Sequence, residues 1–199
     1  MAPSRSPPLT VVKVGGSLAA DGPRLRAVLD RLAHRSDGEA TAIVPGGGPF
    51  ADAVRTLQAT AGFSDALAHR LALDAMGRMA EVLCGIAPGL SVADSPAAVV
   101  ETLRHGGHPV WDPVALKGGH PDIAENWDVT SDSLALWLAT RLRAERCILI
   151  KSTPIHPGAS LIDLARLGVV DAAFPRFAST YEGAIEIRGA DTDGARQAA

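Results

Sequence analysis

Two short passages limit this chain more than any others: TVVKVGGSL at residues 10–18 and TAIVPGGGPF at residues 41–50. Each is a run of β-formers that breaks abruptly at consecutive glycines. Runs apolar at almost every position suit strands covered on both faces, the condition of a parallel sheet. Strand-like runs occur at 9–14, 40–44, 90–93, 109–111, 147–151 and 184–188. Helical periodicity lies between them. Leu25, Val28, Leu29 and Leu32 share one spacing, and Phe50, Ala53, Val54 and Leu57 repeat it. A long helix is predicted over 65–86, with Leu67, Leu71, Ala75, Met79, Val82 and Leu83 on one broad face. Another is predicted over 131–143, with Leu134, Leu138 and Leu142 stacked four apart. Alternating strands and helices predict an α/β fold, a three-layer αβα sandwich around a mainly parallel central sheet. Residues 9–188 are read as one domain, with a loose arm at 1–8 and a flexible tail at 189–199. The long helix exceeds the needs of one layer. It is expected to pack across an edge against a second copy, although burial in its own core would also account for it.

Bulk properties narrow the function. The net charge of −3 carries no basic footprint for nucleic acid. No apolar run approaches membrane-spanning length, and the start lacks an apolar signal core, so a cytoplasmic protein is expected. Cys84 and Cys147 each sit in an apolar segment and read as buried thiols in a reducing compartment; a disulfide between them is the alternative.

The cations are distributed unevenly. Sixteen arginines accompany only three lysines, Lys13, Lys117 and Lys151, so a retained lysine suggests a place that needs a compact ammonium. Lys13 is next to last before Gly15–Gly16, and its stem can reach past the end of the strand. The amides of Gly15, Gly16 and Ser17 would face the same space, and glycine lets an anion approach the backbone closely. Gly46, Gly47 and Gly48 follow the second strand, and Pro49 suits the first turn of a helix, whose dipole also favours an anion. In a parallel sheet both turns lie at the carboxyl edge, where such folds bind ligands. The pattern is neither G-x-x-x-x-G-K-[ST] nor G-x-G-x-x-G.

VVKVGGSL, IVPGGGPFADAVR and WDVTSDSLALWLA together resemble the amino acid kinase family, the acetylglutamate, aspartate and uridylate kinase fold. The resemblance spans roughly residues 9–181, judged by the order of these blocks. It implies transfer of the ATP γ-phosphoryl group, with Mg2+, to a small anionic acceptor. It implies that Lys13 and the glycines of both turns hold the transferring phosphoryl group, with Gly15, Gly16, Ser17 and Lys151 toward the nucleotide and Gly46, Gly47, Gly48, Thr130 and Ser131 toward the substrate. Asp132, at the start of the predicted helix, would then hold the lysines in place; by itself an acid in a first turn needs no function beyond the helix dipole. Thr130 or Ser131 is the expected helix cap.

WDVTSDS and LGVVDAAFPRFA are most similar to the subgroup of that family that phosphorylates an aminomethylfuran methyl phosphate on the way to methanofuran-type cofactors. The acceptor would then be a phosphate monoester and the product a diphosphate. A carboxylate or a nucleoside monophosphate is the runner-up acceptor. The chain departs from the family pattern at KSTPIHPGA, where the usual acid is replaced, and it has no lysine after Lys151. Those departures leave a second reading open, a non-catalytic nucleotide- or oxyanion-binding protein on the same fold. A homo-oligomer, a dimer or higher, is expected from the length of the helix over 65–86. His105 and His108 flank glycines with no third metal ligand evident. Lys117 and His120 lie in a loop that could line the acceptor pocket. Trp111 and Trp127 read as core or pocket wall, and Asp52 and Arg55 as surface or acceptor-side residues.

Overall fold

The computed structural model describes residues 8–34, 39–155 and 158–189. The expected arm and tail lie outside these residues except for Pro8 and Gly189. Six strands form one sheet: β1 (Leu9–Val14), β2 (Ala40–Pro45), β3 (Leu90–Ala93), β4 (His108–Trp111), β5 (Arg146–Ile150) and β6 (Ala184–Arg188). Their order is β3-β4-β2-β1-β5-β6, and every described pairing is parallel. The expected strands are therefore all present, with bounds shifted by one residue in β2, β4 and β5.

Alternation along the strands divides the interior in two. Val11, Ala42, Val44, Cys147 and Leu149 face one core, and Val12, Val14, Ile43, Ile148 and Ile150 face the other. The first core is covered by α4 (Pro96–Arg104), α5 (Ser131–Leu142) and α7 (Phe174–Ala178), and the second by α1 (Gly22–Ala33). The long helix α3 (Asp65–Ile86) serves both: Leu73 and Met76 join the first core, while Met79, Ala80 and Leu83 join the second. Its start follows from Ser64, whose hydroxyl accepts from the Leu67 amide. A short α6 (Leu161–Arg166) and two 3-10 turns, Gly16–Ala20 and Pro113–Gly118, complete the described elements with α2 (Gly48–Ala61).

Two expected faces differ. In α2 the apolar stripe points outward: Phe50 and Leu57 are 46% and 56% exposed, and Ala51 is the buried position. In α3 the stripe is rotated, so Leu67 and Val82 are partly exposed while Ala68, His69 and Leu73 are buried. Periodicity fixes that a helix has an apolar side; it does not fix how much of that side its own chain covers. No helix among the described residues is long and apolar enough to cross a membrane. Both cysteines are free thiols, Cys147 fully buried and Cys84 partly so.

Register carries the functional consequence. Val14 lies opposite Pro45 on one side and Ile150 on the other. The three central strands therefore end level, and Gly15, Gly46 and Lys151 leave the sheet side by side. Successive connections run to one side of β1 until β5 pairs on its other side, so the crevice between β1 and β5 is the topological switch point of the sheet.

Candidate active site

Lys13 and Lys151 converge on one carboxylate. Lys13 Nζ lies 2.8 Å from Asp132 Oδ1, and Lys151 Nζ donates to Asp132 Oδ2 at 2.6 Å. The Lys13 contact is an ion pair without hydrogen-bond alignment, since Oδ1 has no well-directed donor. Lys13 is 5% exposed and Asp132 4%. Burial pushes the Asp132 carboxyl up, but the two ammonium groups outweigh it and hold the group below its usual range. Burial and then the neighbouring Lys13 charge push Lys151 down to about 8, against the pull of Asp132. One buried anion thus shares two cations, leaving a net positive charge at the edge of the sheet.

The two glycine turns rest against each other. A Cβ on Gly16 would lie 2.7 Å from Gly48 Cα, and one on Gly46 would lie 2.9 Å from Gly16 Cα. Backbone cannot yield to such contacts as a flexible side chain can, so glycine is the residue that lets the turns meet. Gly48 adds a φ of +53°, in the left-handed region.

The expectation for the amides is only partly met. Gly15 N–H donates to Ile150 O at 2.9 Å, and Gly46 N–H donates to Val14 O at 2.8 Å, extending the sheet past its ends. Those two amides are spent on the ladder. The amides of Gly16, Ser17, Gly47 and Gly48 have no backbone partner among the described residues and remain as donors at the first turns of two helices.

A cavity of about 230 Å3 opens beside these turns, at the small end of ligand sites. Lys13, Gly16, Ser17 and the three consecutive glycines line its base. Leu73, Met76, Val129 and Leu134 form an apolar wall, and Thr130 and Ser131 border it. Trp127 closes one side; its Nε1 donates to Gln58 Oε1 at 2.7 Å, and the Arg55 guanidinium lies 4.2 Å over its ring. Arg55 is held by Asp52 at 3.2 Å, and both line the mouth. Lys151 lies outside this lining, behind Asp132 and next to Ser152, whose hydroxyl is 2.7 Å from that of Ser17.

Neither Thr130 nor Ser131 caps α5 with its side chain. Asp171 does so from 41 residues away. Its Oδ2 accepts from Thr130 N at 2.8 Å, Thr130 Oγ1 at 2.8 Å and Ser133 N at 3.0 Å, while Ser133 Oγ donates to Oδ1. Burial and the nearby Asp132 charge push the Asp171 carboxyl up, against those hydrogen bonds. This acid fixes the first turn of α5, and with it Asp132. No sequence window joins it to α5; its one local signal is an acid inside an apolar run, VVDAAF.

Several candidates stand elsewhere. Lys117 pairs with Asp74 at 2.6 Å, and His120 packs edge-on against Trp137 at 5.2 Å; neither lines the cavity. Trp111 is core, stacked on Trp137. Among the described residues no group of three or more His, Cys, Asp or Glu is placed to hold a metal ion.

The fold is that of known phosphoryl-transfer enzymes. A UMP kinase of Bacillus anthracis superposes with a TM-score of 0.72 at 16% identity, over 96% of this chain and 90% of that one. A uridylate kinase of Archaeoglobus fulgidus gives 0.64 at 16% identity, over 90% and 89%. Architecture of this kind defines a kinase fold. The sequence carries the assignment further. Residues 8–94 match the amino acid kinase family. A [5-(aminomethyl)furan-3-yl]methyl phosphate kinase of Methanocaldococcus jannaschii is 30% identical over 176 residues, covering 83% of this chain and 80% of that protein. The chain belongs to the amino acid kinase family, and it is a kinase.

Proposed function

We propose that this protein transfers the γ-phosphoryl group of ATP to a small phosphate monoester, [5-(aminomethyl)furan-3-yl]methyl phosphate, giving a diphosphate and ADP. The relative from M. jannaschii, similar over most of both chains, supports the acceptor. The observation that carries the chemistry is the buried Lys13–Asp132–Lys151 group beside the paired glycine turns.

An acceptor phosphate oxygen attacks the γ-phosphorus; the new P–O bond forms as the bond to the β,γ-bridging oxygen breaks, and ADP departs with that electron pair. A phosphate monoester is already ionised near neutral pH, so no side chain has to remove a proton. The protein's task is positioning and charge stabilisation. Lys13 and the amides of Gly16, Ser17, Gly47 and Gly48 offset the repulsion between the acceptor's phosphate and the phosphoryl group. Lys151, on the far side of Asp132, faces the nucleotide phosphates. Asp132 keeps both ammonium groups aimed and takes no proton.

The donor set fits a polyphosphate: two ammonium groups and free amides, with the nearby acids Asp132 and Asp171 already engaged. Mg2+ would be held by the phosphate oxygens of the nucleotide, where it supplies further charge neutralisation. The reading includes a cytoplasmic location, a place in methanofuran-type cofactor synthesis and a homo-oligomeric state.

The test is ADP release from ATP and Mg2+ with [5-(aminomethyl)furan-3-yl]methyl phosphate, UMP and N-acetylglutamate in parallel, with 31P NMR of the product. Turnover with the first and a new diphosphate signal are expected. Turnover of another acceptor alone would overturn the acceptor, and tight ATP binding without turnover of any would favour a binding protein.

A further inference from the structure

His69 projects from α3 on the face it shares with Ala72, Leu73 and Met76, and all four line the cavity. The residue is 3% exposed. Nδ1 lies 3.1 Å from the carbonyl oxygen of Asn126. A carbonyl can only accept, so Nδ1 carries the proton and Nε2 carries a lone pair. Nε2 has no hydrogen-bond partner among the described residues, and the residue lines the cavity. Burial lowers the basicity of the ring, against the Asn126 bond and the Glu125 charge, which keeps the imidazole neutral at physiological pH. The cavity therefore has the Lys13 ammonium and amides at its base, an apolar wall between, and a buried hydrogen-bond acceptor without a partner on α3.

We propose that His69 reads the acceptor through Nε2: the substrate carries a protonated amine or other N–H donor on the opposite side of a small apolar body from its phosphate. A lone pair repels an anion, so the phosphate binds at the Lys13 end and the donor at the His69 end, in one orientation only. Leaving either partner buried and unpaired is costly, so an acceptor lacking the donor is rejected. The charge of Arg55, the other cation of the lining, is met by Asp52 at the mouth. The inference rests on the proposed kinase reading for the identity of the phosphate-bearing end, and on the fixed tautomer for the donor.

The experiment compares two ligands by calorimetry: [5-(aminomethyl)furan-3-yl]methyl phosphate and the analogue with methyl in place of aminomethyl. The wild type should bind the amine about tenfold or more tightly, the size of a hydrogen bond to a charged group. In His69→Phe that preference should fall to about twofold or less, and His69→Gln, which can still present an oxygen, should restore part of it. The 15N resonance of Nε2 in the wild type should move with the amine and not with the methyl analogue, a readout independent of either variant's folding. Equal binding of the two ligands, an undiminished preference in His69→Phe, or an Nε2 signal indifferent to the amine overturns the proposal. Turnover is scored separately. Phosphorylation without amine preference removes only the role of His69, amine preference without phosphorylation removes only the kinase substrate assignment, and no binding of either ligand removes both.

Discussion

The two sides of the site are built by different means. Around the cavity, backbone meets backbone: Gly16 against Gly46 and Gly48, under a wall of buried α3 and α5 side chains. Beyond Asp132, Lys151 opens an irregular stretch tied by a few contacts, the Ser17–Ser152 hydroxyl pair and the Arg24 guanidinium, which donates to Lys151 O at 2.9 Å. Thr153 and Pro154 beyond it are exposed. The first side is held by exclusion of side chains and the second by side-chain bonds. Substitution should accordingly be punished in one and tolerated in the other, with the shared Lys13–Asp132–Lys151 group as the exception to both.

The largest effect should come from that group. Lys13→Ala should lower kcat/KM by about 10²–10³-fold, the cost of one charge-stabilising donor, in steady-state assays with the fold checked by circular dichroism. Lys13→Arg should not restore activity, because a guanidinium fork does not fit where a 5% exposed ammonium touches Asp132. Full activity in Lys13→Arg would break the idea that the site needs a compact cation.

Next comes the glycine contact. Gly16→Ala should destabilise the protein by about 1–3 kcal/mol through overpacking, read as a shift in denaturant midpoint, with activity falling beyond what unfolding explains. An alanine accepted there without cost would place the two turns further apart than described.

A pH profile then sharpens the comparison from the Lys151 side. Lys151 has its proton affinity reduced to about 8, so its ammonium is complete below that pH and lost above it. The kcat/KM should be level between about pH 7 and 8, where the acceptor phosphate is ionised, and fall about tenfold per unit above pH 8. Asp171 raises the proton affinity of Lys151 from a distance. Asp171→Asn should therefore move the alkaline limb to lower pH while lowering the rate, whereas a purely structural loss would lower the rate and leave the limb in place. The smallest effect is expected at Ser152→Ala, within about 0.5 kcal/mol in stability and with little change in rate.

Much of this was legible from residue order because the governing rules are local. Continuous apolar runs gave the six strands, and apolar periodicity alone gave the bounds of α3. The convergence of Lys13, Gly16 and Gly46 follows from parallel register, which places every strand end on one edge. Other features depend on distant partners. Asp171 is an N-terminal cap for α5 that no sequence window spans. His69 looks like any polar residue on a helix until the lining of the cavity is known. The outward stripe of α2 follows from which surface the neighbours leave open. Helix α4 was missed although its signal was present, Ser95 followed by Pro96, with the serine accepting from Ala98 N.

The glycine-to-glycine contact has one further consequence. Because neither turn can acquire a side chain without displacing the other, they can change only as a couple, and random substitution seldom alters two positions at once. Any drift of this scaffold toward a new acceptor is thereby channelled onto α3, where His69, Ala72 and Met76 face the cavity and can be exchanged singly.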